Sequence, residues 1–251
     1  MSEAKRSPKL PGNNAFLASG DGLFYTVQGE GPTIGMPAVF LRLHLCNLHC
    51  DWSKCGGEIC DAWYTWDSSK EEFWTEHYIL AFRDVFEYMQ KRSCRRIVIT
   101  GGEPLLQKEA IEKFLEKCPS DYSIEIETNG TISPDYFLAS NPQIQFNCSP
   151  KLRNSNNARE KAIVKDVLQE INNCYNSNFK FVVLNYNDLS EIDFIIEECK
   201  LSPSKVIIMP EGTSVEVLSD RLRTIVYAVR DRGYRLTPRL QNFIWGNKRG
   251  V

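Results

Sequence analysis

Ala38-Val-Phe-Leu-Arg-Leu-His-Leu45 runs without a break into Cys46-Asn-Leu-His-Cys50-Asp-Trp-Ser-Lys-Cys55-Gly-Gly-Glu-Ile-Cys60-Asp61. The first part is a short apolar run of the kind that forms a buried strand. The second sets four thiols on an irregular stretch at that strand's end, which makes it a candidate metal site. How many of them bind decides the chemistry. Four thiolates close a structural site, whereas three leave a coordination position open for a reacting group.

Working outward, the chain alternates β-like runs with longer helical ones, the pattern of a parallel sheet with helical crossovers. Strands are expected at residues 38–45, 96–100, 123–127, 143–147, 179–183 and 205–209, and helices at 71–91, 108–117, 157–173, 188–199 and 214–232. Polar signatures follow these strands: the thiols after the first, Gly101-Gly-Glu-Pro104 after the second, Thr128-Asn-Gly130 after the third, Ser149-Pro-Lys151 after the fourth and Pro210-Glu-Gly212 after the sixth. Parallel strands bring such ends to one face, where barrel enzymes build their sites. The expected fold is therefore α/β, a partial β/α barrel of about six parallel strands, and a doubly wound sheet is the alternative.

The 251 residues have room for one large α/β domain, read here as residues 21–251 behind a polar N-terminal lead-in over residues 1–20. No apolar stretch approaches the ~20 residues of a membrane span, and the N-terminus lacks the apolar stretch of a secretory signal. A cytoplasmic protein with no membrane partner is expected. The net charge of −2 gives no field for a polyanion. With Lys248-Arg249 as the obvious basic patch, no nucleic-acid partner is expected. Five of the nine cysteines, Cys94, Cys118, Cys148, Cys174 and Cys199, are scattered without spacing and read as reduced thiols.

For the clustered thiols the plain reading is a structural zinc site. Zinc sites usually offer close cysteine pairs separated by a linker, not four thiols spread evenly. The other reading is an iron–sulfur cluster. Cys46-x3-Cys50-Asp-Trp52, followed downstream by Gly-Gly-Glu-Pro, resembles the radical S-adenosylmethionine (SAM) superfamily, whose signature is Cys-x3-Cys-x-aromatic-x-Cys. In that family three cysteines bind a [4Fe–4S] cluster and the fourth iron stays open for SAM. Here the third position is Ser53, and Cys55 and Cys60 are the candidates to replace it.

After Cys60, Asp61-Ala-Trp-Tyr-Thr-Trp66 resembles the ending of one branch, 7-carboxy-7-deazaguanine synthase of the queuosine and archaeosine pathways. That resemblance takes Cys46, Cys50 and Cys60 as ligands, residues 53–59 as an insertion and Cys55 as an extra thiol. It extends to Phe24-Tyr-Thr-Val-Gln-Gly-Glu-Gly-Pro32, to Phe40-Leu-Arg-Leu43 and to the terminal Trp245-Gly-Asn-Lys-Arg-Gly-Val251.

The resemblance implies a lyase that converts 6-carboxy-5,6,7,8-tetrahydropterin into 7-carboxy-7-deazaguanine with loss of ammonia. It gives the methionine end of SAM to Gly102 and Glu103, and other parts of SAM to Ser149, Pro150, Lys151, Met209, Pro210, Glu211 and Gly212. It gives the pterin to Val27, Gln28, Gly29, Arg42, Thr100 and the chain end at Val251. The chemistry agrees. Gly101 and Gly102 lack a Cβ and let backbone approach a ligand, Glu103 can accept from an ammonium, and the Arg42 guanidinium suits a carboxylate. Free of any resemblance, Arg42 reads as a structural or snorkelling arginine.

The family also implies Mg2+, but its threonine ligand is replaced by Ala62, leaving Asp61 or Thr65 as substitutes. His44, His49 and His77 read as bystanders, and Trp63–Trp66 as packing or stacking residues. A flavodoxin or ferredoxin-like electron donor and a homodimer are further implications. The competing functions are a glycyl-radical-activating enzyme and a zinc-stabilised binding module.

Overall fold

The structure is a computed structural model and describes residues 8–12 and 14–251. Residues 1–7 and 13 of the lead-in lie outside the described residues. The framework is one nine-stranded sheet: β1 (Ala15–Val27), β2 (Pro37–Leu43), β3 (His77–Ala81), β4 (Arg96–Gly101), β5 (Ser123–Thr128), β6 (Ile144–Cys148), β7 (Ser177–Val183), β8 (Val206–Pro210) and β9 (Arg235–Leu236). Their order is β3-β1-β2-β4-β5-β6-β7-β8-β9. From β2 onward every neighbouring pair is parallel, while β1 pairs antiparallel with β2 and β3. The edges β3 and β9 do not meet, so the barrel is incomplete. Among the described residues no helix is long and apolar enough to cross a membrane.

The six expected parallel strands are present and adjacent. Three expectations are corrected. The lead-in ends before Ala15, because Phe16, Leu17 and Ala18 are buried in β1. The helix expected over 71–91 is two helices, Glu71–Thr75 and Phe82–Lys91, separated by β3, whose Leu80 and Ile79 face Phe16 and Leu17 across the ladder. Pairing with the open side of β1 satisfies backbone groups that a continuous helix would leave bare. The helix expected over 157–173 breaks at Ile163-Val164, where both residues hold ψ near 94° between the segments Arg159–Ala162 and Lys165–Asn172.

Alternation along the strands gives the sheet two unlike faces. Val39, Leu41 and Leu43 of β2, Ile97 and Ile99 of β4, Ile124 and Ile126 of β5, Phe179 and Phe181 of β7 and Ile208 of β8 enter one core under the helices. Helix Asp188–Cys199 covers it with Ile192, Ile195 and Ile196. Helix Val215–Asp231, capped by Ser214, adds Ile225 and Val229. The intervening positions, Phe40, Arg42, Thr100, Glu127, Lys180 and Met209, point the other way and line a cavity.

Candidate active site

That cavity has a volume of about 440 Å³ and lies on the inner face of the sheet. Cys46, Cys50 and Cys60 are on its wall, packed against an apolar nest of Leu48, Trp52, Val182, Leu184 and Met209. The nine residues between the last two thiols fold back on themselves. Cys60 N donates to Cys50 O at 3.2 Å, Trp52 N donates to Glu58 O at 3.0 Å, and Asp51 bridges Ile59. This hairpin places Cys60 beside Cys50 despite their separation in sequence. Its tip, Ser53–Cys55, carries Cys55 into solvent. Asn157 Nδ2 donates to the Cys50 sulfur at 3.3 Å, and Trp52 Nε1 donates to Asn154 at 2.9 Å, which fixes the base of the hairpin.

The four thiols therefore do not converge. Among the described residues no three His, Cys, Asp or Glu side chains gather closely enough to hold a single metal ion. A cluster carries its ligands on separate irons and takes a wider set of thiolates. Burial pushes the Cys46 thiol up to about 12, and burial also raises Cys50 and Cys60. Burial thus favours the protonated thiols, and binding a metal as thiolates releases those protons.

The Gly-Gly-Glu loop packs closely on the thiol loop. A Cβ on Gly101 would stand 2.0 Å from Leu43 O, and one on Gly102 2.0 Å from Leu45 O and 3.0 Å from Cys46 Cβ. The glycines are needed because the loop lies against the thiol loop itself, bonded through Gly102 N to Leu43 O and Glu103 N to Leu45 O. Glu103 is fully buried and is absent from the cavity wall. Its carboxylate accepts from Leu105 N (2.9 Å), Thr128 Oγ1 (2.8 Å) and Asn129 N (2.7 Å). It ties β4 to β5 behind the wall.

Of the other expected residues, Gly102, Ser149, Lys151, Met209 and Glu211 line the cavity, while Pro150, Pro210 and Gly212 do not. Lys151 Nζ donates to Ser149 Oγ at 2.9 Å. Val27, Gln28, Gly29, Arg42, Thr100 and Val251 all line it. Arg42 has no carboxylate within ion-pairing distance among the described residues, and its guanidinium lies 5.7 Å from the Phe24 ring centroid. The terminal segment is pinned by Arg249, which sits 3.7 Å over the Tyr64 ring and donates to Glu76 at 3.0 Å. The terminal basic patch is thus partly consumed by the fold.

Sequence reasoning missed a buried ionic network on the same wall. Lys180 Nζ meets Glu30 at 2.5 Å and Glu127 at 3.2 Å, while Arg239 bridges Glu30 at 3.0 Å and Asp61 at 2.6 Å. Gln28 and Asn147 each reach Glu127 Oε1, at 3.3 and 3.2 Å. Burial, with Glu30 and Glu125 nearby, raises the Glu127 carboxyl against the opposing pull of Lys180. A signal was present: Lys180 interrupts an apolar strand just as Arg42 does. Gln241 Oε1, Asn242 Oδ1 and Trp66 Nε1, all on the wall, are buried without a hydrogen-bond partner among the described residues. Buried polar atoms are seldom left so, and these suit a polar ligand.

The expected magnesium substitutes do not fit. Ala62 offers no side-chain oxygen, Thr65 Oγ1 donates to Ala62 O at 2.7 Å, and Asp61 is neutralised by Arg239. His44 is buried with Nδ1 against Ser19 Oγ and is pushed down to about 4 by burial and by His77, and His49 stacks on Trp66. Neither completes a metal site.

Residues 27–135 match the family described as a 4Fe-4S single cluster domain. Among solved structures the fold is similar to QueE from Escherichia coli, with a TM-score of 0.65 at 23% identity over 90% of this chain and 94% of that one. It is also similar to Streptococcus suis SuiB bound to S-adenosylmethionine, with a TM-score of 0.50 at 15% identity over 77% of this chain and 47% of that one. The incomplete parallel barrel and its strand-end thiols define a radical SAM protein. The 7-carboxy-7-deazaguanine synthase of Halobacterium salinarum is 32% identical over 90% of this chain and 89% of its own length, and that of Pyrobaculum aerophilum 31% over 91% and 95%. This chain belongs to the 7-carboxy-7-deazaguanine synthase family.

Proposed function

We propose that the protein is a radical SAM lyase that converts 6-carboxy-5,6,7,8-tetrahydropterin to 7-carboxy-7-deazaguanine with loss of ammonia. The observation that carries the assignment of the site is the meeting of Cys46, Cys50 and Cys60 on one apolar wall, with Cys55 turned away. Three thiols, one of them accepting an amide N–H, suit a [4Fe–4S] cluster with an open iron. With SAM bound beside it, the cluster supplies the radical chemistry that begins the reaction.

The chain's own residues bind and orient. Ser149, Lys151, Met209 and Glu211 offer a hydroxyl, a cation, a thioether and backbone groups to SAM along the wall. Arg42, without an ion pair among the described residues, takes the substrate carboxylate. Glu127, whose contacts to Lys180, Gln28 and Asn147 are all 3.2 Å or longer, has capacity left for N–H groups on the pterin's guanidine-like edge. Gln241 Oε1 offers a second acceptor. The segment ending at Val251 closes one side against water. The donors do not support magnesium, and no step here uses it.

The reductant in this reading is a flavodoxin or ferredoxin-like protein, and the assembly a homodimer, which sedimentation measures directly. Nine free thiols fit the reducing cytoplasm. The test is anaerobic purification followed by incubation with SAM, reductant and the tetrahydropterin, with product identified by mass. About four irons per chain and the deazaguanine product are expected, and stoichiometric zinc without iron would sink the reading. Cys60→Ala should abolish SAM cleavage while Cys55→Ala spares it. The reverse result reassigns the third ligand.

A further inference from the structure

The seven-residue insertion between the cluster thiols is more than a tolerated loop. Its returning half, residues 56–58, is fastened to the end of β8 by a set of contacts that none of the cysteine chemistry requires. Glu58 N donates to Glu211 Oε1 at 3.1 Å, and Thr213 Oγ1 donates to the Glu58 carboxylate at 2.6 Å. Arg221, reaching across from helix Val215–Asp231, donates through Nη1 to Glu211 Oε2 and to Glu211 O at 2.6 Å, and through Nη2 to Gly56 O at 2.7 Å. One guanidinium thus spans both partners. The Arg221 and Glu211 side chains are 15% and 8% exposed, so the pair is largely withdrawn from water.

Gly57 shows how tightly the two parts meet. A Cβ there would stand 2.7 Å from Trp52 Cβ, 2.8 Å from Glu211 Oε2 and 2.9 Å from Leu184 Cδ2. The hairpin therefore packs directly on the β8 end with no room for a side chain. Its other end is anchored separately, through Trp52 to Asn154 and Asp51 N to Ser155 O. Cys60 lies two residues after Glu58, the last of the docked residues.

We infer that Arg221 is a positioning residue that latches the Cys50–Cys60 hairpin onto the β8 end and so fixes the third cluster thiol relative to the SAM-binding segment. The inference rests on the proposed function, which makes Cys60 a ligand and gives Met209–Gly212 to SAM. The Glu211 carboxylate is committed to the hairpin, so its share in cofactor binding falls to the backbone. Arg221 acts through Glu211 and Gly56 and does not line the cavity.

The test compares reconstituted holoenzyme carrying Arg221→Met, Arg221→Lys or Gly57→Ala with wild type and with Arg223→Met, a control on the exposed side of the same helix. Three quantities are read: SAM affinity by equilibrium dialysis, the rate of cluster bleaching under a chelator, and the thermal midpoint. Arg221→Met and Gly57→Ala should each weaken SAM binding about tenfold and speed bleaching by a similar factor, as expected when one partner of a buried pair is removed. Lysine can still meet Glu211 but cannot span both partners, so Arg221→Lys should fall between. Arg223→Met should match wild type.

Should Arg221→Met fail to fold, Gly57→Ala perturbs the same contact from the other side. A lowered thermal midpoint with unchanged SAM affinity and bleaching would make Arg221 a plain brace and overturn the inference, leaving the proposed function intact. Wild-type protein that holds no cluster or binds no SAM would overturn both.

Discussion

The two faces of the sheet are built from alternate residues of the same strands, yet they answer to different physics. On the helix side, Leu41, Ile99, Ile126 and Phe181 are fully buried among apolar neighbours, and close packing decides what fits. On the cavity side, one residue away in each strand, Arg42, Thr100, Glu127 and Lys180 line the cavity. The first face tolerates any apolar residue of about the right size. The second requires particular charges in particular places, and leaves some of them unmatched.

Lys180→Met asks where that division breaks down. Burial opposes the Lys180 charge, but Glu127 and Glu30 hold it firmly protonated. Removing it strands the Glu127 carboxylate, while Glu30 keeps its pair with Arg239, at a cost of about 3–5 kcal/mol in chemical denaturation. Leu41→Ala on the opposite face should cost a similar ~2–5 kcal/mol by leaving a cavity. A loss below about 1 kcal/mol for Lys180→Met would show that the inner network serves binding alone.

Arg42→Met should sharpen the contrast in the other direction. Among the described residues Arg42 has no ion pair to lose, so the denaturation midpoint should barely move, while kcat/KM for the pterin falls on the order of 10²-fold. Equal kcat/KM in the variant would return Arg42 to a structural role. Arg249→Ala releases the terminal segment from Tyr64 and Glu76, contacts that are partly solvent-exposed. A several-fold rise in KM with kcat retained is expected, of the order of a weak cation–π contact with an exposed ion pair.

The smallest effect is in pH. Burial raises the Glu30 carboxyl, but Lys180 and Arg239 outweigh it and hold it well below its ordinary value of 4.5. The stabilisation from Glu30 is therefore complete above about pH 4.5 and is lost as the pH falls toward its folded-state value. Denaturation midpoints measured between about pH 6 and pH 3 should fall more steeply for wild type than for Glu30→Gln. Parallel slopes would mean that the network does not stabilise the fold.

The helix-facing side was legible from the sequence because its signal is local. Helix Asp188–Cys199 was expected over the same residues, and the six parallel strands were found by their apolar runs. The cavity side was legible only where a charge interrupts such a run or a family motif marks it. Its bonds join residues far apart in the chain, as from Lys180 to Glu30, Arg239 to Asp61 and Arg221 to Gly56. No window along the sequence contains both partners. Glu103 marks another boundary: residue type predicted a carboxylate, but its direction was set by Thr128 and Asn129, which the fold alone brings near.

The folded-back insertion has a practical consequence. Because Cys50 and Cys60 are joined across the base of a hairpin, the thiols are neighbours although nine residues separate them. Searches that demand a fixed cysteine spacing will pass over chains of this kind. The same geometry offers a handle: Cys55, exposed at the tip and outside the proposed ligand set, is a natural attachment point for a fluorophore or spin label that reports on the cluster loop without touching it.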